Sequence, residues 1–485
     1  MNRKARADHA SHFSELELNE GEMRALVQET MDRLLPHLSG LSTAPTHRNN
    51  GARKLSRSLR EALPVQGAPV QDVFRLLFDR VLPSGLGTAT PGYLAYVPGG
   101  GLFHAAIAAL ITNATNRYVG IFQASPGLVQ LEQNVVRWFC DLIGFPDSAG
   151  GVLTTGGSLA NLAAICAART EKLPARFQDG VMYTSSEAHR SVQKAAKVAG
   201  FLPEHVRALP VDEHHRLRVD SLVAAIAEDR ASGLLPFLIV GNAGTTNTGA
   251  IDPLHALADV ATREGLWLHL DGAYGGFFAL TARGRAKLEG IDRADSVTLD
   301  PHKGLFLPYG TGAIIVRDVE TLRRAHYVEA EYLPDPEDDR SFVDFASLSP
   351  ELSRDARGLR VWLPLKLHGS QAFTRALDEK IDLAHAAADR IAALPGFVIV
   401  APPELSLFAF RYMFAGPVGP SLDAKNRRLL SLLNQRRRVL LSGTIVPSGY
   451  VLRVCVLSFR THQRQIDHLV EDLGAALEEL LARGW

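Results

Sequence analysis

The chain has 485 residues, which is enough for two or more domains around a large apolar core. Its 52 lysines and arginines balance its 52 aspartates and glutamates, which argues against a role on nucleic acid or on a membrane surface. Cys140, Cys166 and Cys455 are far apart in sequence, so we expect neither a disulfide framework nor a metal site. No apolar run is long enough for a membrane span or a signal peptide, and a cytoplasmic location is expected.

Residues 1–92 are predicted to be an N-terminal helical segment. Glu15–Leu38 carries an apolar stripe at helical spacing, and Val70–Leu82 reads as a second amphipathic helix. A segment of this kind has little core of its own, so it should pack on something larger, such as another subunit.

Residues 93–368 are predicted to be a large α/β domain, because strand and helix patterns alternate from about residue 150. The strand candidates are Val181–Thr184, Val206–Val211, Phe237–Val240, Leu266–Leu270, Ser296–Leu299 and Ala313–Val316. The helical stretches between them are Leu159–Thr170, Ala188–Ala199, Asp220–Asp229 and Pro253–Glu264. This alternation indicates a mostly parallel sheet covered on both faces. Ligands of such sheets bind beyond the carboxyl ends of the strands.

Residues 369–485 are predicted to be a smaller α+β domain. Its strand candidates are Val398–Ala401, Leu407–Tyr412 and Val451–Leu457, and it closes with a helix at Gln465–Leu481. Before it, the acidic stretch Glu329–Arg340 carries two prolines and is predicted to be an exposed, mobile loop.

Lys303 lies in the sequence DPHKG, directly after the predicted strand Ser296–Leu299. Pro301 cannot donate a hydrogen bond to a sheet, so the strand should end there and leave Lys303 at the rim of the sheet. Low-dielectric surroundings can lower the pKa of a lysine so placed, which would suit it to Schiff-base chemistry. A solvated loop lysine fits this one pattern as well.

Two further polar groups occur at predicted strand ends. In TTGGSLANL, Gly157 and Ser158 stand directly before a helix, where free amides and the helix dipole can bind a phosphate, although the same residues also make a good cap. In LHLDGAY, Asp271 ends an apolar strand, where a carboxylate needs a cationic or hydrogen-bonded partner. Capping of the next element is the alternative for Asp271.

Two more segments complete the set. His189, in SSEAHRS, follows a strand and could stack on a planar ring or lie on the surface. Thr246, in GTTNTG, offers a short hydroxyl at another strand end, where turn chemistry explains it equally well. A phosphate cradle, a stacking histidine, a carboxylate and a lysine, in order at strand ends, are together what a pyridoxal phosphate site needs.

These motifs resemble those of the group II pyridoxal phosphate-dependent amino-acid decarboxylases, over about residues 90–370. DPHKG resembles the family motif of the imine-forming lysine, and LHLDGAY resembles the motif of the carboxylate that pairs with the pyridine nitrogen. TTGGSLANL resembles the phosphate loop. The resemblance implies contacts to pyridoxal 5'-phosphate from Gly157, Ser158, His189, Thr246, Asp271, Ala273, Ser296, His302 and Lys303. In particular, Ala273 would pack on the ring, and Ser296 and His302 would contact the phosphate. AYVPGG resembles the substrate-pocket turn, with Tyr96, Val97 and Pro98.

The resemblance also implies an α/β fold of the fold-type-I transferase class and a homodimer whose subunits share the active site. The expected reaction joins the substrate amine to the cofactor, releases the α-carboxylate as CO2 and returns a proton to the substrate carbon. Lys303, Asp271 and His189 would be the catalytic residues, with His189 orienting the amino-acid substrate.

The sequence departs from the family pattern at several positions. A gapless alignment places Phe345 where decarboxylases have the proton-donating tyrosine, and a phenylalanine lacks the hydroxyl for that task. Tyr332, elsewhere in the same loop, could substitute. Gly304 stands where a large residue is usual, Leu159 where glutamate is frequent, and Val97 where animal enzymes carry an aromatic residue.

The leading hypothesis is therefore a decarboxylase of L-amino acids with aromatic or other apolar side chains, forming the amine and CO2. Phe345 motivates a second hypothesis, oxidative decarboxylation and deamination to an aldehyde. A carbon–carbon lyase acting on an amino-alcohol phosphate is a third. A non-catalytic binding protein on the same fold is the remaining alternative, and it would leave Lys303 unused.

Overall fold

The computed structural model describes residues 16–329, 342–416 and 418–483, in two compact units that divide after residue 90. The first unit consists of helices and a short antiparallel ribbon: α1 (Glu20–Ser39), β1 (His47–Arg48), α2 (Ala52–Ser58), α3 (Val70–Leu76) and β2 (Gly85–Leu86). Asn19 and Glu22 cap the start of α1 reciprocally. Every residue of α1 remains at least partly exposed in this single chain, despite its apolar stripe.

The second unit is built on a seven-stranded sheet. Its strands are β3 (Gly150–Thr154), β4 (Gly180–Ser185), β5 (Val206–Leu209), β6 (Leu235–Asn242), β7 (Trp267–Asp271), β8 (Ser296–Leu299) and β9 (Gly312–Val316). The spatial order is β3-β9-β8-β7-β6-β4-β5, and only β9 runs antiparallel to its neighbours. The mostly parallel sheet predicted from the sequence is thereby confirmed, while β3 was not among the predicted strands.

Helices cover both faces of this sheet. The helices of this part of the unit are α4 (Phe103–Thr115), α5 (Pro126–Ile143), α6 (Gly157–Lys172), α7 (Arg190–Val198), α8 (Val219–Ala231), α9 (Leu254–Glu264), α10 (Ala282–Lys287), α11 (Pro301–Gly304), α12 (Glu320–His326) and α13 (Gly358–His368). Successive strand residues point to opposite faces. In β4, Val181 and Tyr183 therefore join the core that includes α8 and α9, while Met182 joins the core formed with α6 and α7.

The remaining elements form a four-stranded antiparallel sheet with three helices. They are α14 (Ser370–Ala392), β10 (Phe397–Ala401), β11 (Leu407–Tyr412), α15 (Pro420–Gln435), β12 (Ser442–Val446), β13 (Gly449–Cys455) and α16 (Gln463–Ala482). The strand order is β10-β11-β13-β12. Three of these strands were predicted and β12 was not. The domain boundary expected at residue 369 stays a prediction.

Across the described ranges, no helix has the length and apolar character needed to cross a bilayer. The same residues contain no group of three or more histidine, cysteine, aspartate or glutamate side chains arranged to hold a metal ion. Most of the loop predicted at 329–340 lies outside the described residues, as does Tyr332.

Candidate active site

A polar cavity of about 440 Å³ lies beyond the carboxyl ends of strands β3, β4, β6, β7 and β8. It is lined by Thr155, Gly156, Gly157, Ser158, His189, Ser191, Asn242, Gly244, Thr246, Asp271, Ala273, Tyr274, Asp300, His302 and Lys303. Each lining residue stands in a strand end or in the segment that follows one, which is where parallel sheets bind ligands. The cavity therefore brings together eight of the nine residues that were predicted to contact the cofactor.

The start of α6 forms one wall of the cavity. Its first amides have no carbonyl partner within the helix, and the helix dipole is positive at this end, so an anion is favoured there. The absence of a side chain at Gly157 lets Asp300 and Ala273 lie close to the start of α6. A Cβ at this position would lie 3.1 Å from Asp300 Oδ2 and 3.2 Å from Ala273 Cβ. The His302 ring borders the same wall, since a Cβ on Gly156 would lie 3.4 Å from its Cε1.

Lys303 lies in the single helical turn α11, between β8 and β9. Its Nζ is 2.8 Å from Oδ2 of the buried Asp300. Burial disfavours the charged amine, but the Asp300 carboxylate more than offsets this and raises the pKa of Lys303 above its ordinary value. The sequence predicted the opposite direction, because it gave no sign that the aspartate three residues earlier would turn back onto the lysine.

Asp271 ends β7 and is held by two hydrogen bonds. Its Oδ1 accepts from the Ala273 amide at 3.1 Å, and its Oδ2 accepts from Asn161 Nδ2 at 3.0 Å. Both donors are neutral, so the carboxylate has no cationic partner among these contacts. A buried carboxylate held in this way is suited to pair with a protonated ring nitrogen.

His189 caps the start of α7 and lies at the cavity with part of its ring exposed. Its Nδ1 is 2.7 Å from Ser191 Oγ. Partial burial of the imidazole disfavours its charged form and lowers the pKa of His189 below its ordinary value. A neutral imidazole with an open face is what stacking on a planar ligand requires.

Ser296 is the predicted cofactor residue that the structure does not bring to the cavity. It stands at the amino end of β8, fully buried, with its Oγ 2.8 Å from both Trp267 Nε1 and His269 Nδ1. The predicted phosphate contact of Ser296 is therefore wrong in this structure, because its hydroxyl is engaged inside the protein one strand-length from the site.

Phe345 also lies away from the cavity. Its side chain is 1% exposed and packs in the core formed with α6 and α7, with the Arg354 guanidinium 4.8 Å from the ring centroid. The next residue, Ala346, donates its amide hydrogen to the Gly120 carbonyl at 2.9 Å. The structure thus contradicts the prediction of Phe345 as an active-site residue, because the gapless alignment took a core position for a cavity position.

The predicted substrate turn approaches the site through its backbone. Tyr96 has a left-handed φ of 55° and an exposed side chain, and neither it nor Val97 nor Pro98 lines the cavity. The carbonyl of Tyr96 accepts a hydrogen bond from Arg453 Nη2 at 3.2 Å. The same nitrogen donates to the carbonyl of Thr246, a cavity residue.

Arg453 was missed in the sequence analysis. It lies in β13, is 4% exposed, and uses its guanidinium on uncharged acceptors, with 3.0 Å to the Asn247 carbonyl and 2.8 Å to Ser442 Oγ. Burial lowers its pKa from the ordinary value. The signal available in the sequence was a single charge inside the apolar run VLRVCVL. Asp300 and Asn161 were also missed, although Asp300 stands in the lysine motif itself.

Residues 53–413 match the family model described as the pyridoxal-dependent decarboxylase conserved domain. The chain belongs to this family. This pyridoxal-dependent decarboxylase is 34% identical over 467 residues to the aromatic-L-amino-acid decarboxylase of Bacillus atrophaeus, covering 96% of this chain and 97% of that one. It is 32% identical over 381 residues to the L-2,4-diaminobutyrate decarboxylase of Rhizobium meliloti, covering 77% and 75%. The crystal structure of Oryza sativa TDC with PLP and tryptamine superposes with a TM-score of 0.90 at 26% identity, covering 96% of this chain and 99% of that one.

The decarboxylase uses pyridoxal 5'-phosphate as its cofactor, and the residues of the cavity fit that group. The amides at the start of α6 suit the phosphate, the Asp271 carboxylate suits the pyridine nitrogen, and the Lys303 amine suits the aldehyde. The cofactor supplies an electron sink for the electrons released at the α-carbon of an amino acid. The enzyme is accordingly a carboxy-lyase.

Proposed function

We propose that this enzyme converts an L-amino acid with an aromatic or other apolar side chain to the amine and CO2. The observation that carries the proposal is the convergence of Lys303, Asp271, His189 and the α6 amino terminus in one cavity. In the reaction, the bond between the α-carbon and the carboxylate breaks, and a proton takes the place of the carboxylate.

Each of these residues has a defined task in the proposal. Lys303 binds the cofactor covalently, and Asp300, at 2.8 Å, is the nearest group that could accept the ammonium proton beforehand. Asp271 keeps the ring nitrogen protonated. His189 covers the ring and orients the substrate. Tyr332 remains the proposed donor of the proton to the α-carbon, since Phe345 is enclosed in the core.

The charges of the cavity support a neutral substrate side chain. Among the described lining residues, Lys303 is the one lysine or arginine, and Asp300 pairs with it. A second cation that could bind an acidic side chain is not present in this set. The similarity to aromatic-amino-acid and tryptophan decarboxylases supports the aromatic class. The diaminobutyrate relative makes 2,4-diaminobutyrate the most useful competing substrate to assay.

Oxidative formation of an aldehyde is the second reaction to test. The residue that motivated it, Phe345, lies in the core, but the chain is 28% identical over 429 residues to the phenylacetaldehyde synthase of Arabidopsis thaliana. An amine product without oxygen uptake is expected here.

We further propose a cytoplasmic homodimer in which both subunits contribute to the active site. The apolar side chains exposed in the first unit support an interface, since Leu63 is 90% exposed and Val65 98%. Light scattering behind size exclusion should give twice the chain mass of 52.7 kDa. A monomeric species with full decarboxylase activity would contradict this proposal.

The experiment that tests the reaction is a product assay across the common amino acids and 2,4-diaminobutyrate, with oxygen recorded in the same vessel. We expect CO2 and one amine in equal amounts, fastest with an aromatic substrate, and no oxygen consumption. Stoichiometric oxygen uptake with ammonia release would instead assign the aldehyde-forming reaction, and the absence of CO2 from every substrate would refute both.

A further inference from the structure

Behind the cavity, polar side chains of two neighbouring strands face α6. Alternation along β7 directs Trp267, His269 and Asp271 to one face, and the register pairs His269 with Ser296 and Asp271 with Thr298 on β8. All of these side chains are buried. A polar ladder inside a sheet core is costly unless every group is hydrogen-bonded, so the partner of each group matters.

Asn161, on the buried face of α6, joins this ladder to the cavity. Its Oδ1 lies 2.7 Å from Thr298 Oγ1 and 3.1 Å from His269 Nε2. Its Nδ2 lies 3.0 Å from Asp271 Oδ2 and 3.0 Å from Ser191 Oγ. All four hydrogen-bonding directions of this amide are therefore used by buried partners.

The Asp271 carboxylate fixes which way the amide points. A carboxylate only accepts, so the nitrogen of Asn161 must face Asp271 and the oxygen must face His269. His269 Nε2 must then carry the hydrogen that Asn161 Oδ1 accepts. Burial lowers the pKa of His269 to about 4, so the ring is neutral at pH 7 and its other nitrogen is an acceptor.

Ser296, at one end of the ladder, is also restricted to one hydrogen-bond direction. The Trp267 indole can only donate, so Ser296 Oγ accepts from it at 2.8 Å. The Ser296 hydroxyl hydrogen is then available for His269 Nδ1, also at 2.8 Å. The contacts of both ring nitrogens of His269 therefore require the same tautomer, with the hydrogen on Nε2 and none on Nδ1.

The other end of the ladder reaches His189. Ser191 Oγ accepts from Asn161, so its own hydrogen is directed to His189 Nδ1 at 2.7 Å. The Ser191 amide points at the same nitrogen, at 3.3 Å. Both donors require an unprotonated Nδ1, which leaves the hydrogen of the neutral His189 ring on Nε2.

We propose that Asn161 is a positioning residue that orders one directed hydrogen-bond chain, Trp267 to Ser296 to His269 to Asn161, and divides it between Asp271 and Ser191–His189. Through this division, one amide positions both the carboxylate that would pair with the ring nitrogen and the histidine that would stack on the ring. His189 is thereby presented with Nε2–H as its only free hydrogen. The proposal rests on the roles given to Asp271 and His189 in the proposed function.

The direct test is the tautomer of His189 in the holoenzyme, read from side-chain nitrogen resonances of histidine-labelled protein and assigned by their loss in His189→Gln. In the wild type, Nδ1 should resonate as an unprotonated nitrogen and Nε2 as a protonated one. Asn161→Asp keeps the shape of the side chain but replaces the donor by an acceptor. The Ser191 hydroxyl should then turn toward the introduced carboxylate, and the Nδ1–H tautomer of His189 should become populated.

The branch from Asn161 to Asp271 is tested by measuring the affinity for the cofactor. Asn161→Asp places two carboxylates side by side, and we expect the dissociation constant for pyridoxal 5'-phosphate to rise about tenfold or more. Ser191→Ala leaves the Asp271 branch intact, so it should weaken cofactor binding less than Asn161→Asp does. Loss of the hydroxyl donor should raise the population of the Nδ1–H tautomer of His189 above that of the wild type. Asn426→Asp is the matched control, because Asn426 is also fully buried but bonds only within the segment around β11 and α15.

The outcomes separate this proposal from the proposed reaction. If every folded Asn161 variant keeps the wild-type tautomer of His189, Asn161 does not set it and the proposal is overturned. Should Asn161→Asp fail to fold, Asn161→Ala decides, because it removes the amide donor to Ser191 without adding a charge. Neither readout uses substrate, so a holoenzyme that released no CO2 would refute the proposed reaction and leave the tautomer result standing.

Discussion

The floor and the rim of the cavity are built in different ways. The floor, comprising Asp271, Asp300 and Lys303, comes from two adjacent strand ends and one helical turn. The rim is assembled from distant segments, because Arg453 on β13 ties the Tyr96 turn to the Thr246 turn. Groups that carry the chemistry are thus held by regular structure close in sequence. The entrance instead depends on one buried cation that lies 357 and 207 positions from the two turns it links.

The largest effect is expected at the floor. Lys303→Ala removes the amine that binds the cofactor, and we expect kcat to fall by about 1,000-fold or more. The same variant should lose the absorption band of the covalently bound cofactor, recorded after gel filtration. Lys197→Ala, on the exposed face of α7, is the control and should match the wild type. A retained band in Lys303→Ala would remove Lys303 from the site.

Substitution of Arg453, which holds the rim together, should lower stability and weaken substrate binding. Arg453→Met leaves the acceptors of its guanidinium without a donor, and we expect the free energy of unfolding to fall by about 2–4 kcal/mol. KM should rise more than kcat falls, because the Tyr96 and Thr246 turns lose their common donor. Unfolding in urea and steady-state kinetics measure the two effects.

Arg411→Met provides the comparison for this variant, because Arg411 lies on the adjacent β11 and donates to the Ser448 carbonyl near the surface. Arg411→Met should lower the free energy of unfolding by less than about 1 kcal/mol. Equal losses for the two variants would show that the position of Arg453 beside the cavity has no special weight.

His269→Gln tests the polar ladder behind the floor through pH. Unfolded His269 takes up a proton near its ordinary pKa of 6.5, whereas burial lowers the pKa of the folded form to about 4. The stability contributed by the neutral ring is therefore present above pH 6.5 and lost as the pH falls toward 4, by up to about 3 kcal/mol. Denaturation at pH 4.5 and pH 7 should show a smaller acid loss in His269→Gln than in the wild type. His214→Gln, at an exposed site, should leave the acid loss unchanged.

The smallest effect on chemistry is expected from Phe345→Tyr. A hydroxyl added beneath Arg354 in the core has no assured partner and should cost about 1–3 kcal/mol of stability. The ratio of amine to aldehyde should not change, because the ring does not reach the cavity. A shift in this ratio would mean that Phe345 acts on the substrate after all.

Much of the floor was predictable from the sequence because its motifs are contiguous. DPHKG, LHLDGAY and TTGGSLANL each place their residue at a strand end, and Ser296–Leu299 was predicted with the bounds that the structure has. Even the ladder behind the site follows a period of two in WLHLD and SVT. Gly304 departs from the family pattern for a local reason, since a Cβ there would lie 2.6 Å from Phe277 Cβ.

The errors share a different cause, which is contact between residues far apart in sequence. The strand alternation alone did not reveal that Ser296 would be occupied by Trp267 and His269. Phe345 was assigned by counting residues back from Arg360, whereas its place in the core depends on packing with Arg354 and with the segment at Gly120. The pKa of Lys303 reversed direction because Asp300 turns onto it.

The most direct measurement is to locate the covalent bond itself. The holoenzyme is reduced with borohydride, digested, and its peptides are weighed by mass spectrometry. We expect that the peptide containing Lys303 alone gains the mass of the reduced cofactor, and that Lys303→Ala yields no labelled peptide. A cofactor label on a different lysine of enzyme that still releases CO2 would contradict this expectation.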